Sequence, residues 1–159
     1  MTQVMPSSDD VRFRTATGTD VPAMAACRSA DPAAGPADSR MAAYFAGTHH
    51  PQQALAPRVG YVALRGDTVV GYIAGHRTIR HGCSGEVQYL FVAPDHRRRG
   101  LGTALLRLLA DWFVHNGAQK VCVCVDAGSP SAKPFYEHAG AAPFRPLWYR
   151  WDDVSLLLR

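Results

Sequence analysis

Cysteine is scarce in this 159-residue chain, and its four copies, Cys27, Cys83, Cys122 and Cys124, show no C-x-x-C spacing. That is not the spacing of the common zinc modules, and unbridged thiols are the simple reading. Cys122 and Cys124 alternate along an expected strand and so share one face, which suits core packing better than a metal; no metal site is expected. Reduced thiols point to a cytoplasmic setting. Also missing is any apolar run of about 18 residues or a basic-apolar leader, so neither a membrane span nor a secretory signal is expected. No Gly-Lys pair occurs, which excludes a nucleotide P-loop, and Leu105 stands where a dinucleotide fingerprint needs its third glycine.

What remains can fill one ordinary core. With 47% hydrophobic residues, a chain near this length can bury roughly 70% of its unfolded surface. Residues 1–10 read as a polar, frayed tail and residues 11–159 as one domain. The net charge of +4 is concentrated around His96, Arg97, Arg98 and Arg99. Such a cluster suits an anionic ligand as well as a nucleic-acid backbone. No helix-turn-helix, zinc finger or aromatic RNA-binding signature accompanies it, so no nucleic-acid partner is expected.

Periodicity then gives the order of elements. Val11–Ala16 alternates as a strand, and Asp20 or Thr19 caps a helix running to Ser29, with Pro22 in its first turn. Asp31–Asp38 breaks that helix, Ser39–Ala46 forms a second, and residues 47–57 form a loop. Val59–Leu64 and Thr68–Thr78 read as a hairpin turning at Gly66-Asp67. Glu86–Val92 is the next strand. Leu101–His115 follows as a helix with Leu101, Leu105, Leu108 and Trp112 on its buried stripe. Lys120–Asp126 is an apolar strand covered on both faces. Ser129 and Pro130 open a helix ending near Gly140, Phe144–Trp151 is a closing strand, and Asp152 caps a final turn. The fold class is α/β of the α+β type: a mixed, mostly antiparallel sheet with helices on both faces.

Between Val92 and the long helix stands Arg97-Arg98-Arg99-Gly100-Leu101-Gly102. A strand, a tight basic turn with two glycines and then a helix make a phosphate site. Unpaired amides of the turn and first helical turn point outward, and the helix dipole places positive potential there. Glycine lets the main chain approach a ligand closely.

This R-x-x-G-x-G pattern resembles the acetyl-CoA signature of the GNAT superfamily of N-acetyltransferases. Upstream, EVQYLFVAPDHRRRGLG is similar to that family's fourth strand running into its pyrophosphate loop. Downstream, Ser129-x-x-Ala132-x-x-x-Tyr136-Glu137-x-x-Gly140 resembles its N-x-x-A-x-x-x-Y-E-x-x-G helix. Two departures are Ser129 in place of asparagine and Ala141-Ala142 in place of Gly-Phe. The likeness is strong over residues 84–141 and architectural over the first half.

The resemblance implies a splayed parallel strand pair whose gap takes the pantetheine arm, and acetyl-CoA as co-substrate without a metal. The cofactor-binding residues it implies are Leu90, Phe91, Val92, Arg97, Arg98, Arg99, Gly100, Leu101, Gly102, Thr103, Ser129 and Tyr136. Tyr136 is the expected general acid, since a phenol can return a proton to a thiolate. Glu86 is the expected base, placed by simple alternation on one face with Gln88, Leu90 and Val92; Asp126 is a weaker candidate. His49, His50 and His81 would border the acceptor side, with Trp148, Tyr149 and Trp151 as an aromatic wall. The implied activity is acetyl transfer to a primary amine of a small molecule or protein, by direct transfer in a ternary complex. A non-catalytic acyl-CoA sensor of the same fold is the rival reading. The resemblance leaves a homodimer open.

Overall fold

The computed structural model describes residues 10–125 and 131–159. In chain order it contains β1 (Val11–Thr15), α1 (Val21–Ser29), α2 (Met41–Ala46), β2 (Ala54–Arg65), β3 (Thr68–Thr78), β4 (Gly85–Val92), α3 (Leu101–His115), β5 (Val121–Cys124), α4 (Ala132–His138), β6 (Ala142–Arg145) and β7 (Trp148–Trp151), with short 3-10 turns between. The strands form one sheet in the order β1-β2-β3-β4-β5-β7-β6. Every described pairing is antiparallel except β4 with β5. The mixed sheet expected from the sequence is therefore present.

Two apolar layers cover the sheet. On one face α3 and α4 pack through Leu101, Leu105, Leu109, Phe113 and Tyr136 against Ile73, Val87 and Val123. On the other, Val21, Met24 and Cys27 of α1 and Met41 of α2 meet Val62, Tyr72 and Phe91. The α3 face of the sheet carries glycines for a reason of space. A Cβ on Gly75 would lie 3.0 Å from Leu109 and Phe113, and one on Gly85 would lie 2.6 Å from Phe113.

The structure corrects five details. The α3 stripe runs Leu101, Leu105, Leu109, Phe113, while Leu108 and Trp112 are only half-buried. Apolar residues span a wide arc of this helix, and the glycine-floored sheet takes in Phe113. The closing strand is a hairpin: β6 at the sheet edge and β7 beside β5, parted by Pro146 and by Leu147 at φ +67°. β2 begins at Ala54, inside the expected loop, and pairs with Thr78. Asp20 does not cap α1 forward; its carboxylate accepts from the Thr17 N–H (2.8 Å) and from the Arg14 guanidinium (2.7 and 2.9 Å). The final turn is capped by Asp153, which accepts from Ser155 N, rather than by Asp152.

Candidate active site

The parallel pair separates early. Gly85, Glu86 and Val87 of β4 pair with Val121, Cys122 and Val123 of β5, and the pairing stops there. From Gln88 onward β4 is paired only to β3 among the described residues. On that side Gly75 faces Val87 while Ala74 faces Tyr89, so Gln88 is an extra residue, a β-bulge.

The bulge resets which face each side chain uses. Val87, Leu90 and Val92 pack into the α3 layer. Tyr89 and Phe91 belong to the α1/α2 layer. Glu86 joins them, standing beside His76, which bonds Tyr44 of α2. Simple alternation had put Glu86 on one face with Leu90 and Val92; the inserted residue separates them.

Glu86 is 3% exposed. One carboxylate oxygen lies 3.8 Å from Arg80 Nη1 and the other 4.0 Å from His76 Nε2. Burial pushes its pKa up to about 7, with the Arg80 charge pulling the other way. His76, fully buried opposite Glu86 in the β3–β4 register, is pushed down to about 4, chiefly by burial and then by Arg58 and Arg80. It is neutral near pH 7. The Tyr44 hydroxyl lies 3.0 Å from His76 Nδ1. Local sequence gave no sign of Tyr44, His76 or Arg80, because their relevance lies in cross-sheet register.

Glu86 opens onto a cavity of about 580 Å³ lined also by Gln88, Arg80, His49, His50 and Trp148. Of the two loop histidines, His50 is engaged through its ring and His49 through its main chain. The His49 carbonyl accepts from Arg58 (2.8 Å), and His50 Nδ1 lies 2.8 Å from Arg58 Nη2, so that nitrogen is the acceptor. His81 packs edge-on against Trp148 and contacts Arg145, and does not line the cavity. Tyr149 donates to Glu137 (2.6 Å), and the Trp151 indole donates to the Ala139 carbonyl. Of the aromatic trio, Trp148 alone lines the cavity. Cys122 is buried, whereas Cys124, on the same strand, is exposed at the cavity rim.

At the other end of the fork, the basic turn divides its labour. Arg97 is exposed but tethered: it donates to the Val92 carbonyl and to Asp31 (2.9 Å each) and lies over the Phe91 ring. Arg98 and Arg99 are exposed, with Arg98 at φ +63°. Gly100 takes φ +79°, and a Cβ there would meet nothing within 4 Å. Gly102 differs: its Cβ would stand 3.1 Å from Phe135, so close helix packing already accounts for that glycine. The helical ladder opens with Ala104 N–H to the Gly100 carbonyl (2.9 Å). The amides of Leu101, Gly102 and Thr103 precede it and have no intrahelical acceptor. An open cradle at Gly100 with three such amides fits a diphosphate.

Tyr136 is buried against Phe135 and Trp151, and burial pushes its phenol further up, so it stays protonated. Ser129 and Asp126 lie outside the described residues. Among the described residues, no cluster of three His, Cys, Asp or Glu could hold a metal ion, and no helix is long and apolar enough to cross a membrane.

This fork, bulge and glycine turn belong to a class of acyl-transfer folds, and comparison with known proteins agrees. The model of the acetyltransferase (GNAT) family matches residues 27–141. The chain belongs to that family. Residues of the chain are 32% identical over 66 positions to an uncharacterized N-acetyltransferase, YobR, of Bacillus subtilis; the match covers 42% of this chain and 27% of YobR. Among solved structures, a GNAT-family acetyltransferase described as putative, from Desulfovibrio desulfuricans, superposes with a TM-score of 0.75 at 19% identity, covering 91% of this chain and 99% of that one. Arabidopsis thaliana NAA60, solved in complex with acetyl-CoA, superposes at 0.68 with 12% identity, covering 89% and 98%. At these identities the structural likeness speaks for the fold.

Proposed function

We propose that residues 11–159 form a single N-acetyltransferase domain that moves an acetyl group from acetyl-CoA to a primary amine in a ternary complex. One observation carries the reading: a buried carboxylate, Glu86, stands where the parallel strands part, with its pKa raised toward neutrality. A base poised near the working pH is the most effective one. Acetyl-CoA supplies the acyl group as a thioester. The amides of Leu101, Gly102 and Thr103 and the open turn at Gly100 would hold its diphosphate, with charge from Arg98 and Arg99. Leu90, Phe91 and Val92 would lend main-chain groups to the pantetheine arm.

Glu86 takes the proton that the attacking amine sheds, and Tyr136 returns one to the departing sulfur as the C–S bond breaks and the C–N bond forms. Glu86 faces the acceptor cavity while Tyr136 sits in the α3/α4 layer, so base and acid approach the fork from opposite sides of the sheet. The acceptor is a small molecule or protein amine, and four unbridged thiols suit a reducing compartment such as the cytoplasm. Thiol release from acetyl-CoA with a panel of primary amines tests the reading. Saturable acetyl-CoA binding with no thiol release on any amine would overturn it. For the cradle, Gly100→Val and Gly102→Val each carry a cost of their own, the left-handed φ at Gly100 and the Phe135 ring beside Gly102, so acetyl-CoA affinity is read together with circular dichroism.

A further inference from the structure

The acceptor cavity holds an unusual concentration of unspent polar atoms. Arg80 Nε, Glu86 Oε1 and Gln88 Oε1 are all buried without a hydrogen-bond partner, and all three residues line that cavity. Buried polar atoms are nearly always satisfied; Glu86 Oε1 stands 4.0 Å from His76 Nε2, itself without a partner, whereas the Arg80 and Gln88 atoms ask for a ligand that satisfies them. Arg80 is the most telling. Its guanidinium lies 4.5 Å over the Trp148 ring and comes no closer than 3.8 Å to Glu86. Among the described residues its side chain makes no hydrogen bond. A planar fork of donors, oriented by an aromatic ring and held to Glu86 only by a long 3.8 Å ion pair, is suited to a carboxylate.

The spacing limits which carboxylate. Glu86 presents an acceptor, suited to an amine, 3.8 Å from Arg80 Nη1, and Gln88 lines the same cavity. A ligand serving both sides must carry amine and carboxylate one or two carbons apart. A lysine side chain or a bare polyamine would leave Arg80 unpaired and bring a second cation toward it. A peptide N-terminus offers only a neutral carbonyl at that distance.

From this geometry we infer that the acceptor is a free amino acid, its carboxylate held by Arg80 and its amine presented to Glu86 and Gln88. The inference rests on the acetyl-transfer reading for what happens next, but the recognition step stands apart from it. A cavity of about 580 Å³ is of the size usual for small-molecule sites. Arg80 is then a specificity-determining residue as well as a neighbour of the base.

The test pairs each common L-amino acid with its primary amide, which keeps the amine and removes the negative charge. Calorimetric binding in the presence of CoA, and thiol release from acetyl-CoA, are measured for both members. The expected result is a preference for acids on the order of 10- to 100-fold, the worth of a charged hydrogen-bonded contact. In Arg80→Gln that ratio collapses toward one, and Arg80→Lys falls between. The ratio is the proper readout, because removing Arg80 also alters Glu86 and slows every acceptor alike. Amides that match their acids on the unaltered protein overturn the inference without any variant. Failure of every amino acid to bind also overturns it, even if other amines release thiol and acetyl transfer itself survives. Acids that bind selectively but release no thiol keep the carboxylate site and discard the transfer reading.

Discussion

The two faces of the sheet are built on opposite principles. Toward α3 the layer is apolar and floored by glycine, and the helix sits so close that Cβ atoms at Gly75 and Gly85 would collide with it. Toward α1 and α2 the same strands bury Glu86, His76 and Tyr44 together. Burying a carboxylate beside an imidazole opposes folding. The α3 face supplies the cohesion that lets the opposite face hold such groups out of water. The apolar packing and the buried base thus occupy opposite faces of one sheet, at a fork where β4 and β5 pair over three residues.

The largest effect that would sharpen this contrast is on turnover. Glu86→Gln is expected to lower kcat/KM on the order of 100- to 10,000-fold with the fold intact by circular dichroism, whereas changes at the apolar packing residues of the α3 face, such as Leu105 or Leu109, should not do so while the protein remains folded. In the unaltered enzyme kcat/KM should rise with pH through about 7 and then level off, following the Glu86 carboxylate.

Next comes the α3 face itself. Leu105 is fully buried, and Leu105→Ala should cost about 2–5 kcal/mol in denaturant unfolding. A loss below about 1 kcal/mol would show that this layer does not hold the sheet.

The third prediction concerns pH. The raised Glu86 pKa means that the native state keeps a proton which the unfolded chain releases above its ordinary value of 4.5. Stability from this group therefore falls as pH rises from 4.5 to about 7 and is flat above, a swing of about 3 kcal/mol. His76 works in the other direction. Its pKa is depressed from 6.5 to about 4, so its contribution is present above 6.5 and is lost as pH falls toward 4. Subtracting the unaltered protein from Glu86→Gln isolates the carboxylate: the variant should gain relative stability at pH 8 and none at pH 4. An equal difference at both pH values would mean that Glu86 is not desolvated.

Smallest is Tyr44→Phe. Losing the 3.0 Å contact to His76 Nδ1 should cost about 1–2 kcal/mol of stability. No change at all would indicate that His76 is satisfied without it.

The order of elements and the glycine turn were legible in the sequence because both are local: periodicity finds α3, and R-x-x-G-x-G finds the turn before it. What escaped depends on partners distant along the chain. One inserted residue, Gln88, reverses the facing of everything after it, and nothing in EVQYLFV marks it. Only the pairing of β4 with β3 reveals it. His76 lies in an apolar stretch and gains significance only by standing opposite Glu86, 10 positions away in number yet adjacent in register. The closing strand divided because Pro146 brings no amide proton to a ladder and Leu147 takes a left-handed turn. Gly102 was read as making room for a ligand, whereas the nearest neighbour of a Cβ there is the Phe135 ring.

Among the described residues, the early parting of β4 from β5 leaves a wedge in the middle of the sheet, where Leu90 to Val92 pair with β3 on one side and with no strand on the other. An amide-bearing ligand laid in that wedge would bridge the two halves and complete the ladder as a substitute strand. Occupancy should then be felt as mechanical coupling: amide protons on β4 and β5 would slow their exchange with solvent together, although neither strand had moved.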